Sequence, residues 1–231
     1  MSVANSRALD HRATTDFGIP SILLMENAAI AIANHALDLL KSARSQSILI
    51  ATGPGNNAGD AFAAARHLAT LGCPPTIVMT TPAEHITADA KINLDIITKM
   101  NIPTIDAQTY LESAPPQPGL IIDALFGTGL TRPIEGIAQQ LITHINAARA
   151  SGSLVLAVDV PSGLNAQTGE PMGDAVIQAD RTLTFAALKD GYRNFNAQPH
   201  LGEVHIAPLA IPTDLLKSLG TQIHHPHDRV E

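Results

Sequence analysis

Three times in this chain a run of strand-forming apolar residues ends in a glycine-rich loop that carries a carboxylate. SILIA (47 to 51) leads into GPGNNAGD, LIID (120 to 123) into ALFGTGLTRP, and LVLAVD (154 to 159) into VPSGLNAQTG. Helical patterns lie between the runs, and apolar strands separated by helices require crossover connections and a largely parallel sheet buried on both faces. In such a sheet ligands collect beyond the carboxyl ends of the strands. The expectation is an α/β fold whose site gathers at one edge.

The remaining elements follow from the same patterns. A helix is predicted from about residue 3 to residue 15 and a second beginning at Pro20, which together form an N-terminal helical extension. Strands are predicted over Gln46 to Ala51, Thr76 to Thr80, Ile102 to Ile105, Leu120 to Asp123, Leu154 to Asp159, Thr182 to Phe185 and Glu203 to Ala207. Helices are predicted over Asp60 to Leu71, Thr87 to Met100 and Glu135 to Ala150, and AQTYLESAPPQPG reads as a loop around one helical turn. Neither a repeat nor an interdomain linker is visible, so residues 1 to 231 read as one domain, with 220 to 231 a flexible tail. His224, His225 and His227 in that tail could bind a metal, but a frayed polar end is the simpler account.

Composition removes several function classes. Net charge is −7 with no Lys/Arg run, so a nucleic-acid partner has no source of counterion-release affinity. Cys73 is the only cysteine, which excludes an internal disulfide and fits a reducing compartment. The N-terminus lacks the basic start and apolar core of a secretory signal, so a cytoplasmic location is expected. SILLMENAAIAIANHALDLL is broken by Glu26, Asn27, Asn34, His35 and Asp38 and reads as an amphipathic helix, not a membrane span. It is a packing helix, or its face of Ile22, Leu23, Met25, Ala29, Ile32 and Ala33 is an oligomer contact.

The loops themselves carry the chemistry. Gly53 to Ala58 fits the dinucleotide pattern G-x-G-x-x-G/A, but Asp60 is placed where a bound pyrophosphate would meet a second anion. GTGLTRP is the better phosphate loop: successive N–H groups at Gly127, Thr128 and Gly129 form a nest, and Arg132 adds a fixed positive charge, unless it only faces solvent beside Pro133. Asp159, at the end of an apolar strand, is a candidate acid/base, or an Asp capping its loop. Lys189, leaving the strand TLTF at the same edge, is a second candidate or a surface charge. Ser162 has no histidine at triad spacing. The oxygen-rich set Asn56, Asn57, Asp60, Asp123, Thr128, Asp159 and Ser162 suits a hard cation, and the nitrogen and sulfur ligands of a zinc site are missing.

The segments LLMENAAIAIA (23 to 33), GPGNNAGDAFAAARHL (53 to 68), DALFGTGLTRPIEG (123 to 136), AVDVPSGLNAQTG (157 to 169) and TLTFAALKDG (182 to 191) together resemble the NAD(P)H-hydrate epimerases, the YjeF N-terminal domain proteins. The resemblance implies a three-layer α/β/α sandwich with a Rossmann-like, mostly parallel sheet. It implies a homodimer that interconverts the R and S hydrates of NADH and NADPH at C6 of the nicotinamide ring, while a separate ADP- or ATP-dependent dehydratase repairs the S form. By motif, Asn56, Asn57, Ala58, Gly59 and Asp60, then Gly127, Thr128, Gly129, Leu130, Thr131, Arg132 and Pro133, and Asp159, would contact the hydrate. Asn57, Asp123 and Ser162 would coordinate potassium, K+. Catalysis would fall to Asp159, with Lys189 auxiliary.

The family's loop usually reads G-N-N-G-G-D-G, and here Ala58 and Ala61 replace two glycines. Added methyls restrict φ and could narrow the approach of a ligand. The dehydratase segment of bifunctional relatives is not seen, so a stand-alone epimerase is expected. A non-catalytic nucleotide-binding or scaffold protein of the same fold is the competing reading. An NAD-dependent dehydrogenase is a third, resting on Gly53 to Ala58, with Glu84 a poor ribose-binding acid.

Overall fold

Alternate residues of a strand face opposite sides of a sheet, and here both sides are apolar. Ile48, Ile50, Leu120, Ile122, Leu156 and Val158 face one core, and Leu49, Ala51, Ile121, Val155 and Ala157 face the other. A sheet with that pattern must be covered twice. The computed structural model, which describes residues 1 to 113 and 116 to 220, shows helices on both faces.

The chain runs α1 (Val3–Phe17), α2 (Ser21–Leu40), β1 (Ile48–Thr52), α3 (Asn56–Thr70), β2 (Thr76–Met79), α4 (Ala88–Lys99), β3 (Thr104–Asp106), α5 (Ala107–Glu112), β4 (Leu120–Ala124), α6 (Gly136–Ala150), β5 (Leu154–Val158), β6 (Arg181–Phe185), α7 (Gln198–Leu201), β7 (Glu203–Ala207) and α8 (Thr213–Leu219). The seven strands lie in the order β3-β2-β1-β4-β5-β6-β7 with parallel pairings throughout. Apolar residues of α1, α2, α3, α4 and α8 share one core and those of α5 and α6 the other, giving three layers. Each fully buried Ile or Leu in these layers contributes roughly 2 kcal/mol. The chain leaves β1 toward β2 on one side, while β4 continues on the other. That divergence opens a crevice between the carboxyl ends of β1 and β4.

The N-terminal extension is held by local chemistry. Ser2 caps α1 by accepting from the Asn5 N–H, and Gly18 ends it in the left-handed conformation that L side chains avoid. α2 is the one described helix long and apolar enough to cross a membrane, yet Leu24, Met25, Ala28, Ala29, Ile32, Ala33 and Ala36 are buried in the core. The packing account of this helix therefore holds. Of the six residues named for an oligomer face, Met25, Ala29, Ile32 and Ala33 are interior, because the stripe repeating every three to four residues turns toward the sheet.

Several element boundaries differ from expectation by one to four residues. α3 begins at Asn56 rather than Asp60, because Gly55 supplies an extended N-cap and the two asparagines take helical backbone. β5 ends at Val158, with Asp159 in the left-handed region at φ 64°. AQTYLE forms a short helix capped by Asp106, whose carboxylate accepts from the Thr109 N–H at 2.9 Å. α8 carried no clear signal in its short polar-apolar run. His224, His225, His227 and all but the first residue of the predicted tail lie outside the described residues.

Candidate functional site

The loops after β1, β4, β5 and β6, closed on one side by α1, line a cleft of about 580 Å³. That volume suits a sizeable organic ligand. Because β1, β4 and β5 are neighbours, loops distant in sequence meet there. Asn56, Asn57, Asp60, Gly127, Thr128, Gly129, Leu130, Thr131, Arg132, Asp159 and Lys189 all line the cleft.

Asp159 is the most constrained of them. Its left-handed backbone turns the side chain off the strand axis, where Lys189 Nζ lies 2.9 Å from Oδ1 and the Thr184 hydroxyl donates to the same oxygen at 3.0 Å. The Phe185 N–H lies 3.4 Å from that oxygen, and the Tyr192 hydroxyl donates to the Asp159 carbonyl. Burial pushes the Tyr192 hydroxyl well above its usual pKa, with the charge of Asp159 adding to the effect. Ala186, next to the same site, is also left-handed at φ 61°. Non-glycine residues in this region cost roughly 1 kcal/mol or more each, and such strain concentrates at functional sites.

Lys189 is no surface charge. Its side chain is only 2% exposed, and it gives one hydrogen bond to the Phe185 carbonyl at 3.2 Å beside its pair with Asp159. A lysine so enclosed is stable only because its charge is matched.

Asp60 sits in the second turn of α3. Burial, then the charges of Asp159 and Asp10, push its carboxyl well above the usual range, although one edge meets the cleft. Asp10, on α1, also lines the cleft. Burial lifts it to about 6, against the pull of Lys189 and with the push of Asp159. Sequence reasoning missed Asp10, and no pattern marks it, because it is one of several polar residues on the exposed face of α1.

The second loop offers an anion site. Among the described residues nothing accepts from the N–H groups of Gly127, Thr128 or Gly129, and no carboxylate pairs with the exposed Arg132. From α1, Arg7 reaches the Thr128 carbonyl at 3.5 Å. A β-carbon at Gly127 would come within 2.9 Å of Asn57 Oδ1, so a side chain there would separate the two loops.

Beneath the cleft lies a buried oxygen cluster. Asp123 is fully enclosed; Oδ1 accepts from the Ser162 hydroxyl at 2.6 Å and the Leu125 N–H at 3.2 Å, and Oδ2 from the Ser162 N–H at 2.8 Å. Burial raises Asp123 to about 6 despite these bonds. Asn57 commits Nδ2 to the Val158 carbonyl at 2.9 Å, leaving Oδ1 toward Gly127. A buried carboxylate with only neutral donors, beside an amide oxygen and a hydroxyl, fits a hard monovalent cation. Among the described residues no three His, Cys, Asp or Glu side chains come together as a softer metal would need.

Ala58, Gly59 and Pro133 are not brought to the cleft wall. Ala58 and Ala61 are fully buried in α3 and pack into the core, so their methyls do not enter the ligand space. Gly59 serves packing: a β-carbon there would meet the Met25 thioether at 2.6 to 2.8 Å and Ala90 Cα at 3.0 Å.

Comparison with known proteins agrees with this architecture. A family model described as YjeF-related protein N-terminus matches residues 21–191. The chain is 34% identical over 221 residues to the NAD(P)H-hydrate epimerase of Rhodopirellula baltica, covering 95% of this chain and 88% of that one. It is 37% identical over 212 residues to the epimerase of Levilactobacillus brevis, covering 91% and 94%. It is 34% identical over 219 residues to the bifunctional NAD(P)H-hydrate repair enzyme Nnr of Thermofilum pendens, covering 93% of this chain and 41% of that one. The crystal structure of the yeast protein YNL200c matches with a TM-score of 0.79 at 19% identity, covering 98% and 96%, and shows the same fold.

Proposed function

This chain belongs to the YjeF-related protein N-terminus family, and we infer from that membership and from its cleft that it is an NAD(P)H-hydrate epimerase. It is an isomerase that interconverts the R and S hydrates of NADH and NADPH at C6 of the nicotinamide ring, with no net redox change. The supporting observation is the Asp159–Lys189 pair, held by a left-handed turn at the open end of a parallel sheet and facing a dinucleotide-sized cleft. Supplying the R hydrate and resolving S hydrate by chromatography tests the assignment. A rate equal to spontaneous epimerisation would reject it. The scaffold reading drew on Ala58 and Ala61, and their burial away from the cleft removes its support.

In this reading the hydrate's phosphates lie on the Gly127–Gly129 amides and Arg132, and Asn56, Asn57 and Asp60 contact the hydrated ring. Asp159 exchanges a proton at the C6 hydroxyl, and Lys189 holds its carboxyl in place. Arg132→Ala is expected to raise KM about tenfold and leave kcat within about threefold, because an exposed charge-assisted contact remote from C6 binds substrate and transition state alike. Steady-state kinetics checks this, and a fall in kcat at unchanged KM would move the phosphates elsewhere.

A potassium ion at Asn57, Asp123 and Ser162 would supply a counter-charge for the buried carboxylate and tie the loops after β1, β4 and β5 together. The protein would act as a homodimer, for which Leu23 and Ile30, both exposed on α2, supply an apolar edge. It would work in the cytoplasm beside a separate ADP- or ATP-dependent dehydratase. The bifunctional names of several relatives support such a pairing.

A further inference from the structure

Epimerisation poses a problem that one carboxylate does not solve. The hydroxyl at C6 must leave one face of the ring and return to the other, so a proton is given on one face and taken on the other. Because R and S hydrates are each substrate and product, the two groups exchange roles between directions. Each must therefore serve as both acid and base.

Four carboxyl groups line the cleft, of which Asp89 on α4 is taken up by the Ser21 hydroxyl, leaving three. Asp159 comes from the end of β5, Asp60 from α3 and Asp10 from the α1 wall, with Lys189 after β6 and Arg7 on α1 as the cations nearby. Lys189 is spent on Asp159 and the Phe185 carbonyl. Among the described residues no group donates a hydrogen bond to the Asp10 or Asp60 carboxyl, so both are available to a ligand. Burial, reinforced by the charges of Asp159 and Asp10, pushes the Asp60 carboxyl well above the usual carboxylate range. Asp10 faces the cleft from α1 and is solvent-accessible, and with its pKa lifted to about 6 it can hold or release a proton near neutrality, the condition for work in both directions.

We propose that Asp10 is the second acid–base residue of the epimerisation, working with Asp159 from a separate wall of the cleft. The inference rests on the epimerase reading. One carboxyl protonates the C6 hydroxyl; the C6–O bond breaks, water leaves, and the N1 lone pair forms the N1=C6 iminium. A water molecule adds at C6 from the opposite face, its extra proton passes to the other carboxylate, and N1 recovers its lone pair. One water departs and one enters, and nothing is oxidised. The iminium lasts only while the cleft holds it, so α1 acts as part of the catalytic wall.

The experiment compares the full-length protein with Asp10→Asn and Asp10→Glu in H₂¹⁸O. Wild type is expected to place one solvent oxygen at C6 per inversion. Asp10→Asn is expected to lose about 10²-fold or more in kcat while its KM and its dissociation constant for NADP stay within about threefold. Asp10→Glu is expected to restore part of kcat and to shift the limb of the pH–rate profile near 6. Asp10→Asn turning over at the wild-type rate, or a Glu variant with an unmoved profile, overturns the role of Asp10 and leaves the epimerase reading standing. Inversion without ¹⁸O incorporation overturns the water-exchange path and with it this role. Wild type at the spontaneous rate overturns both readings.

Discussion

Asp159→Asn is expected to lower kcat for hydrate inversion about 10³-fold and, separately, to destabilise the fold by about 3 kcal/mol. Asn keeps the shape and tolerates the left-handed backbone at φ 64°, so the turn itself survives. What is lost is the proton-accepting group and the counter-charge of Lys189, whose side chain is 2% exposed and keeps only neutral acceptors. Chromatographic rates and urea unfolding read the two effects independently. Adding Lys189→Met to Asp159→Asn removes the stranded charge and is expected to recover most of the stability and none of the activity. A single variant with more than a tenth of wild-type kcat would remove Asp159 from the chemistry.

The second large effect concerns Asp123. Burial raises its pKa from 3.8 to about 6, so the folded state binds this proton more tightly than the unfolded chain. The resulting stabilisation is complete below pH 3.8 and is lost as pH rises through about 6, where ionisation costs about 3 kcal/mol without a counter-ion. If potassium sits against Asp123, it offsets that cost only where the carboxyl is ionised. Replacing sodium by potassium is then expected to raise Tm at pH 7.5 and to leave it unchanged at pH 4. Asp10 and Asp60 are shifted in the same direction, so the diagnostic quantity is the difference from Asp123→Asn, which should lose the potassium dependence. Equal potassium sensitivity of wild type and variant would place the ion elsewhere.

Much of this was legible from local pattern. Runs such as LIID and LVLAV are apolar at every position, which only a sheet covered on both faces accommodates, and glycine-rich exits marked the edge where ligands collect. Regions where two distant elements decide the environment were not legible. Asp60 looked like the start of a helix because the apolar pattern resumes at Ala61, while Gly55 caps α3 four residues earlier. Lys189 stood as a second catalytic candidate or a surface charge, because nothing adjacent in sequence shows its pairing with Asp159. Asp10 gave no signal at all: its chemistry comes from Asp60, Asp159 and Lys189, far away in sequence and brought to it by α3 and by the turns after β5 and β6. The methyls of Ala58 and Ala61 read as a possible obstruction until the helix turned them inward.

The pairing of β1 with β4, Ile48 against Leu120, has a consequence for how the protein comes into being. Asp10, Asn57 and Asp60 belong to the first half of the chain, and Asp123, Arg132, Asp159 and Lys189 to the second. The β1–β4 pairing is the sheet's seam between the two sets, reinforced by helix contacts of α1, α2 and α3 with the second half. The β1, β2 and β3 segments pair among themselves, yet without the second half they lack Lys189 and the Gly127–Arg132 loop. Long-range pairings of this kind close late, after local elements have formed. The site is therefore complete only once both halves of the chain have met across that seam.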